Sequence, residues 1–353
     1  MTGTRDIGCP TSAIAGPPVD VLFCADRLFL QHAAVAALSV ASATVARPIR
    51  VHVMSCDQDA RAQAMLREAL RPCAHVRVEF HRVEPGRLAG LFVDRHLTKE
   101  AYLRFLAPEV LPCHIHRVVY LDCDVIAIDD IGPLYDADLG GRAVGAVADS
   151  AWTDPESRGR LRALGLAAGQ VYVNSGVLVM DLDRWRRDGL ADRLLDFATE
   201  QGARLLRHDQ DALNVVLRDE ICLLDRRWNL QVMMLGRWAR RALPDDHAAT
   251  AGARRDPGIL HFSTEEKPWR FRAWTRRKSL YFRFLDQTPW RKLRPAGLSL
   301  PQRLEYDLSR LVLRAGLDIY VLRGAWRRVA RGIAARRARR GRARSVARPS
   351  FRP

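Results

Sequence analysis

The segment 118–124, VVYLDCD, joins a β-branched, apolar run to two carboxylates, Asp122 and Asp124. In a strand, alternate side chains point to one face, so both carboxylates are expected on the same side at the strand's carboxyl end. That edge is where ligands bind in open α/β sheets. Two hard oxygen donors beside an open position suit Mg²⁺ or Mn²⁺ holding a diphosphate. Acidic pairs also end strands and start turns, so the pair needs company before it implies chemistry.

Other segments supply that company, each with an ordinary reading beside it. In FCAD, Asp26 follows an apolar strand and falls on the same carboxyl edge, where Asp is also a common turn former or helix cap. Arg104, in AYLRFL, is on a helix whose plain reading is a solvated face. In YVNSGVLVMDL a strand is interrupted by Asn-Ser-Gly; a glycine there suggests a bulge or a close approach to a ligand, and Asn174 offers an amide. His208-Asp209-Gln210-Asp211 opens a helix, as polar caps often do. His261 ends a short apolar strand in ILHFSTEEKPW, with Lys267 six residues on. Imidazole can complete a Mn²⁺ sphere begun by carboxylates, and a Lys can neutralise phosphate.

The elements that must position these residues alternate. Strands are expected at Val19–Cys24, Ile49–Met54, Val76–Val83, up to the Asp pair, and at 143–148, 171–181, 220–224 and 259–262. Helices are expected at 28–45, 57–71, 98–111, 183–200 and 209–218. This alternation predicts an α/β fold with a mostly parallel sheet flanked by helices. From about 268 the chain turns aromatic and basic, and helical periodicity returns at 301–322, where Leu304, Leu308, Leu311, Val312, Ala315 and Ile319 form one stripe. The expected organisation is a loose start over 1–17, a main domain over 18–270, a helical aromatic and basic C-terminal extension over 271–322, and a basic tail over 323–353.

The formal net charge of +17 is unevenly spread: 323–353 holds twelve Arg and no Asp, Glu or Lys, which leaves +5 for the other 322 residues. A near-balanced body argues against a nucleic-acid-binding protein, whose charge would lie on the folded face. Seven cysteines without a C-x-x-C pair read as thiols of a reducing compartment. No charged start precedes an apolar core, and Ala33–Ala46 reads as a buried first helix, so neither a signal peptide nor a membrane span is expected. The expected location is cytoplasmic. Trp326, Val329 and Ile333 recur at helical spacing within the tail, which reads either as a solubilising extension or as a basic helix making peripheral contact with the anionic inner face of the membrane.

Taken in order, FCAD, YLRF, VVYLDCDV, GPLYDADLGG, YVNSGVLVMDL, HDQDALN and HF…KPW closely resemble the family 8 retaining glycosyltransferases, in particular bacterial lipopolysaccharide α-galactosyl and α-glucosyltransferases. The likeness covers about residues 19–270. It implies a GT-A fold, a UDP-hexose donor, a divalent metal (Mn²⁺ or Mg²⁺) and a glycan or glycolipid acceptor, with no specific nucleic acid. By this resemblance Asp122, Asp124 and His261 ligate the metal. Asp26 and the backbone at Cys24 and Ala25 hold uracil, Phe29 stacks on it, and Lys267 contacts the diphosphate, with Thr264 as the small residue after the metal His. Arg104, Asn174, Asp149 and Asp209 surround the transferred sugar or its acceptor, with Gln210 beneath the anomeric carbon. His96 falls at a position lining the family's cleft. Arg27-Leu28 and Glu265-Glu266 depart from the pattern, the latter setting two acids near a diphosphate. A nucleotidyltransferase on the same fold is disfavoured because no Gly-rich, Lys-bearing loop follows the first strand.

Overall fold

The computed structural model describes residues 16–317 apart from 58, 93–98, 151–154, 167–168, 272, 274 and 294–297. His96, the tail 323–353, most of the 1–17 segment and the end of the 301–322 helix therefore lie outside the described residues. In chain order the elements are β1 (Val19–Cys24), α1 (Leu30–Ala43), β2 (Ile49–Ser55), α2 (Ala60–Leu70), β3 (Val76–Arg82), α3 (Ala107–Val110), β4 (Arg117–Leu121), β5 (Val125–Ala127), α4 (Gly132–Tyr135), β6 (Val144–Ala148), α5 (Pro155–Ala163) and β7 (Val173–Asp181). There follow α6 (Leu182–Arg187), α7 (Leu190–Gln201), α8 (His208–Val216), β8 (Ile221–Leu223), β9 (Leu230–Gln231), α9 (Arg237–Ala242), α10 (Pro244–Ala249), α11 (Ala251–Arg255), β10 (Ile259–His261), α12 (Lys278–Leu285) and α13 (Leu300–Arg314).

Seven strands form the central sheet in the order β3-β2-β1-β4-β7-β6-β8. All run parallel except β7, which is antiparallel to both β4 and β6. The strand period of two explains how the sheet holds a core on each face. Val19, Val21 and Phe23 of β1 and Val119 and Leu121 of β4 pack into one cluster with α1 and α2. Leu22 and Cys24, and Val118 and Tyr120, point into the other, with α3, α6, α7 and α8. Helix α1 is apolar nearly all round because it is buried nearly all round, between the sheet and α12. Tyr281, Phe282, Leu285 and Trp290 of the aromatic extension join that same core.

Two expectations need correction, and the α13 stripe gains an orientation. The 98–111 helix is a 3₁₀ run over Lys99–Leu106 followed by the short α3, in whose first turn Pro108 needs no N–H partner. The 183–200 helix is broken into α6 and α7 at Asp188-Gly189, where Gly189 takes φ 59°. The Leu stripe of α13 is helical, but it faces outward: Leu304, Leu308 and Leu311 are 64, 64 and 60% exposed, while Tyr306, Arg310 and Leu313 are buried. No helix among the described residues is long and apolar enough to cross a membrane.

Trp185 of α6 is fully buried under the sheet, and its indole N–H donates to Ala143 O at 3.0 Å. Truncation removes both the packing and the donor. Trp185→Ala is expected to lower the unfolding free energy by about 3–5 kcal/mol, read as a shifted urea midpoint at unchanged slope. A loss below ~1 kcal/mol would mean the site collapses around the missing ring.

Candidate active site

Strand β4 ends at Leu121, and the two carboxylates lie just beyond it in the turn that leads into β5. The pair therefore converges through a turn and not by strand alternation. Backbone bonds fix that turn: Asp122 N–H donates to Gly176 O at 2.8 Å, and Phe262 N–H donates to Asp124 O at 3.0 Å. The third member arrives on a small second sheet, β5-β10-β9, that the sequence reading does not contain. In it β10 runs antiparallel to β5, setting His261 opposite Val125.

His261 Nε2 lies 3.1 Å from Asp124 Oδ1 and 3.8 Å from Asp122 Oδ2. Its protonation follows from a chain of bonds that begins at the backbone. Gly176 N–H donates to Asn174 Oδ1 at 3.0 Å, which fixes the orientation of that amide. Asn229 Nδ2 donates to the same oxygen at 2.9 Å, so Asn229 Oδ1 is the atom that faces His261 Nδ1 at 2.8 Å. Nδ1 must then carry the hydrogen, and Nε2 is the nitrogen turned towards the two carboxylates. Asp124 Oδ1 is buried and has no hydrogen-bond partner among the described residues. Three lone-pair donors aimed at one point repel one another unless a cation lies between them. The donor set of two carboxylates and one imidazole fits a divalent metal such as Mn²⁺.

The surrounding charges balance the acids. Lys267 Nζ donates to Asp124 Oδ2 and, at 2.9 Å, to Phe262 O. Burial works against ionisation of Asp124, and the Lys267 ammonium overcomes it, holding the carboxyl well below the usual range. Arg104 is buried, not on a solvated face. It pairs with Asp122 at 3.0 Å and Asp209 at 3.4 Å, donates to Ser175 O at 2.6 Å, and lies 4.1 Å from the centre of the Tyr120 ring. Burial and the nearby Asp122 raise the Asp209 carboxyl above its ordinary value, although Arg104 and the Ser175 hydroxyl, which donates at 3.0 Å, oppose this. Tyr120 donates its hydroxyl to Asp122 Oδ1 at 2.6 Å.

On the far side of Asn174 a second network forms. Asn174 Nδ2 donates to Asp149 Oδ2 at 3.0 Å and Gln210 Oε1 at 3.1 Å; Gln210 Nε2 donates to Asp149 Oδ2 at 3.1 Å. Gln210 Oε1 also accepts from Ser175 N–H at 3.1 Å. Asn174, Asp209 and Gln210 reach the cleft wall, while Asp149 supports them from behind. Cys24, Ala25, Asp26 and Phe29 line the opposite end beside Trp269. Asp26 Oδ1 accepts from Leu28 and Phe29 N–H, both at 2.8 Å, so it also holds its own turn. Ser263, not Thr264, lines the cleft. Glu265 and Glu266 are exposed and outside it, which removes the apparent conflict with a diphosphate.

The sequence reading gives no site role to Tyr120, Ser175, Trp269 or Asn229, whereas the close approach it expects at the Asn-Ser-Gly glycine is found at Gly176. Asn229 follows Trp228, whose ring lies so close to Gly258 that a Cβ there would meet it at 2.5 Å. This approach, just before β10, carries the amide to His261. A Trp-Asn pair outside any long strand gives no sequence signal for that role.

A mostly parallel sheet with two carboxylates and an imidazole converging at its carboxyl edge is a glycosyltransferase framework of the GT-A kind, and the comparisons agree. The chain belongs to the glycosyltransferases described as glycosyl transferase family 8, whose pattern matches residues 20–273. It has the GT-A architecture and is similar to the crystal structure of the galactosyltransferase LgtC in complex with donor and acceptor sugar analogs, with TM-score 0.69 and 26% identity, covering 79% of this chain and 98% of that one. General stress protein A of Bacillus subtilis is 30% identical over 61% of this chain and 74% of its own length. The lipopolysaccharide 1,2-glucosyltransferase of Escherichia coli is 25% identical over 61% of this chain and 62% of its own.

Asn229→Leu removes the acceptor that fixes His261. The variant is expected to lose the exclusive Nδ1–H form, read in long-range ¹⁵N–¹H spectra of the imidazole at neutral pH, with unchanged far-UV circular dichroism. Retention of Nδ1–H would show that another group sets the tautomer.

Proposed function

We propose that this enzyme transfers a hexose, galactose or glucose, from a UDP-sugar to a glycan or glycolipid acceptor, such as lipopolysaccharide or another cell-surface glycan, with retention at the anomeric carbon. The observation that carries the reading is the convergence of the Asp122, Asp124 and His261 lone pairs beside Lys267. Those three side chains would hold Mn²⁺ or Mg²⁺, which supplies Lewis-acid stabilisation of the leaving diphosphate. Lys267 adds charge on the same side. Asp26, with the backbone at Cys24 and Ala25, binds the uracil, and Phe29 and Trp269 form its apolar wall. The match to LgtC and to a lipopolysaccharide glucosyltransferase supports the donor and acceptor classes. Residues 18–270 form the transfer unit in this reading, with 271–322 as its extension.

Retention requires either a carboxylate nucleophile or a front-face route. Asp209 is tied to Arg104 and Ser175, and Asp149 accepts from Asn174 and Gln210. Gln210 Oε1 already accepts from Asn174 and Ser175. With each candidate nucleophile engaged, the front-face route is favoured: the departing phosphate oxygen takes the proton of the acceptor hydroxyl. Asp209, Asn174 and Gln210 then orient sugar hydroxyls, and Arg104, paired with both Asp122 and Asp209, holds the two acids apart.

Transfer is expected to be lost in EDTA and restored better by Mn²⁺ than by Ca²⁺. Asp124→Ala and Asp122→Asn should each lose about 4 kcal/mol of leaving-group stabilisation, near a thousandfold in kcat. Full activity in chelator, or both variants within tenfold of wild type, would reject the metal reading.

The exposed Leu304, Leu308 and Leu311 stripe leads towards the Arg-rich 323–353 segment. Such a combination suits the surface of an anionic membrane, where each basic residue contributes about 1 kcal/mol near the headgroups. It would bring a lipid-linked acceptor to the cleft. Deleting 323–353 is expected to release the enzyme from anionic vesicles at low salt while leaving UDP-sugar hydrolysis intact. Continued co-sedimentation of the truncated protein would mean the tail is not the anchor.

A further inference from the structure

A second cluster of metal-binding side chains lies at the edge of the central sheet, on residues that do not line the cleft described above. Strands β1, β2 and β3 run in parallel register, with Leu22 beside His52, His52 beside Glu79, and Met54 beside His81. Asp20, His52, Glu79 and His81 therefore share one face. The buried His52 ring lies between two kinds of partner. Its Nε2 is 2.9 Å from Asp20 Oδ1, and its Nδ1 is 3.1 Å from His81 Nε2 and 3.5 Å from Glu79 Oε2.

Asp20 can only accept. Arg50 grips both its oxygens, at 2.6 and 2.8 Å, and this charge, with the His52 bond, holds the carboxyl below its ordinary value in spite of burial. His52 Nε2 must then donate to Asp20, and in the neutral ring Nδ1 is left as a lone pair. A carboxylate that receives one imidazole N–H while the other nitrogen faces further donors is the arrangement that orients histidines on metals. The spacing agrees. With Zn–N bonds of about 2.0–2.1 Å, neighbouring ligands at the tetrahedral angle lie about 3.3–3.4 Å apart, between the two separations seen here. Arg50 is the nearby cation, and Asp20 neutralises it. Glu79 and His81 are only partly buried, so water can supply a fourth ligand.

We propose that His52, His81 and Glu79 form a site for a transition-metal dication of the Zn²⁺ class, with Asp20 orienting His52. Two imidazoles and one carboxylate favour Zn²⁺ over the Mn²⁺ or Mg²⁺ suited to the carboxylate-rich cleft. The consequence is structural. Strand β3 is the outermost strand of the sheet and has no fully buried residue. A metal bound to His52 of β2 and to Glu79 and His81 of β3 fastens that edge.

The test uses the full chain in the Asp124→Ala background, which disables the cleft's own metal centre, with Zn²⁺ alone as the probe. Equilibrium dialysis followed by metal analysis is expected to find one Zn²⁺ per chain and a Zn²⁺-dependent rise in the thermal midpoint. Adding His81→Ala or Glu79→Gln, at half-exposed positions that do not endanger folding, should weaken Zn²⁺ binding at least tenfold and abolish the thermal rise. In the otherwise wild-type chain, His81→Ala should leave Mn²⁺-supported transfer unchanged. Equal Zn²⁺ uptake with and without His81 and Glu79, or no uptake in the Asp124→Ala protein, overturns the proposal and leaves a His52–His81 hydrogen bond as the whole role of the cluster.

Discussion

Gly176 is the point through which the cleft is assembled. Its backbone carbonyl accepts from Asp122 N–H, and its N–H fixes the Asn174 amide. A Cβ at this position would fall 2.3 Å from His261 Cε1 and 2.7 Å from Asp122 Oδ2. Real side-chain atoms do not approach that closely, so any larger residue must displace the imidazole, the carboxylate or the strand. Because β7 carries no side chain there, it can pass directly behind the metal-binding centre. The glycine is thus required by space and not by a positive φ, and it sits where β7 bulges out of register with β6.

That close approach concentrates negative charge, and Arg104 is what makes it tolerable. Asp122 and Asp209 both face its guanidinium, and their charge outweighs the cost of burying it. Removing one member of such a buried set typically costs about 3–5 kcal/mol, because the remaining charge is stranded. Arg suits this position better than Lys would, since its fork also reaches Ser175 O and its plane lies over Tyr120. A group that seems from sequence to be a sugar contact is first of all the counter-ion of the site.

Much of this was legible in the chain. The apolar runs of β1, β2, β4 and β7, the alternation with helices, and the Asp122, Asp124 and His261 trio all follow from composition and order, because long periodic segments and charged residues at apolar ends leave clear marks. What was not legible depended on short or indirect features. Strands β5 and β9 have three and two residues, too few to show a period, so the small sheet they form with β10 could not be foreseen. The outward turn of Leu304 and Leu308 could not be read, since periodicity reveals a stripe without saying what it faces. Asn229 carries no charge and lies outside any long element, so only three-dimensional contact reveals it.

The two halves of the cleft are also less separate than their chemistry suggests. Asn174 Oδ1 accepts from Asn229, which orients the His261 imidazole, while Asn174 Nδ2 donates to Asp149 and Gln210. Every polar atom of this side-chain amide is therefore occupied, and neither end can shift without breaking a buried bond that water cannot replace. A shift of Gln210 is felt at Asn174, and through Asn229 at His261. The geometry around His261 and that around Gln210 are consequently set together, by one amide on the single antiparallel strand of the sheet.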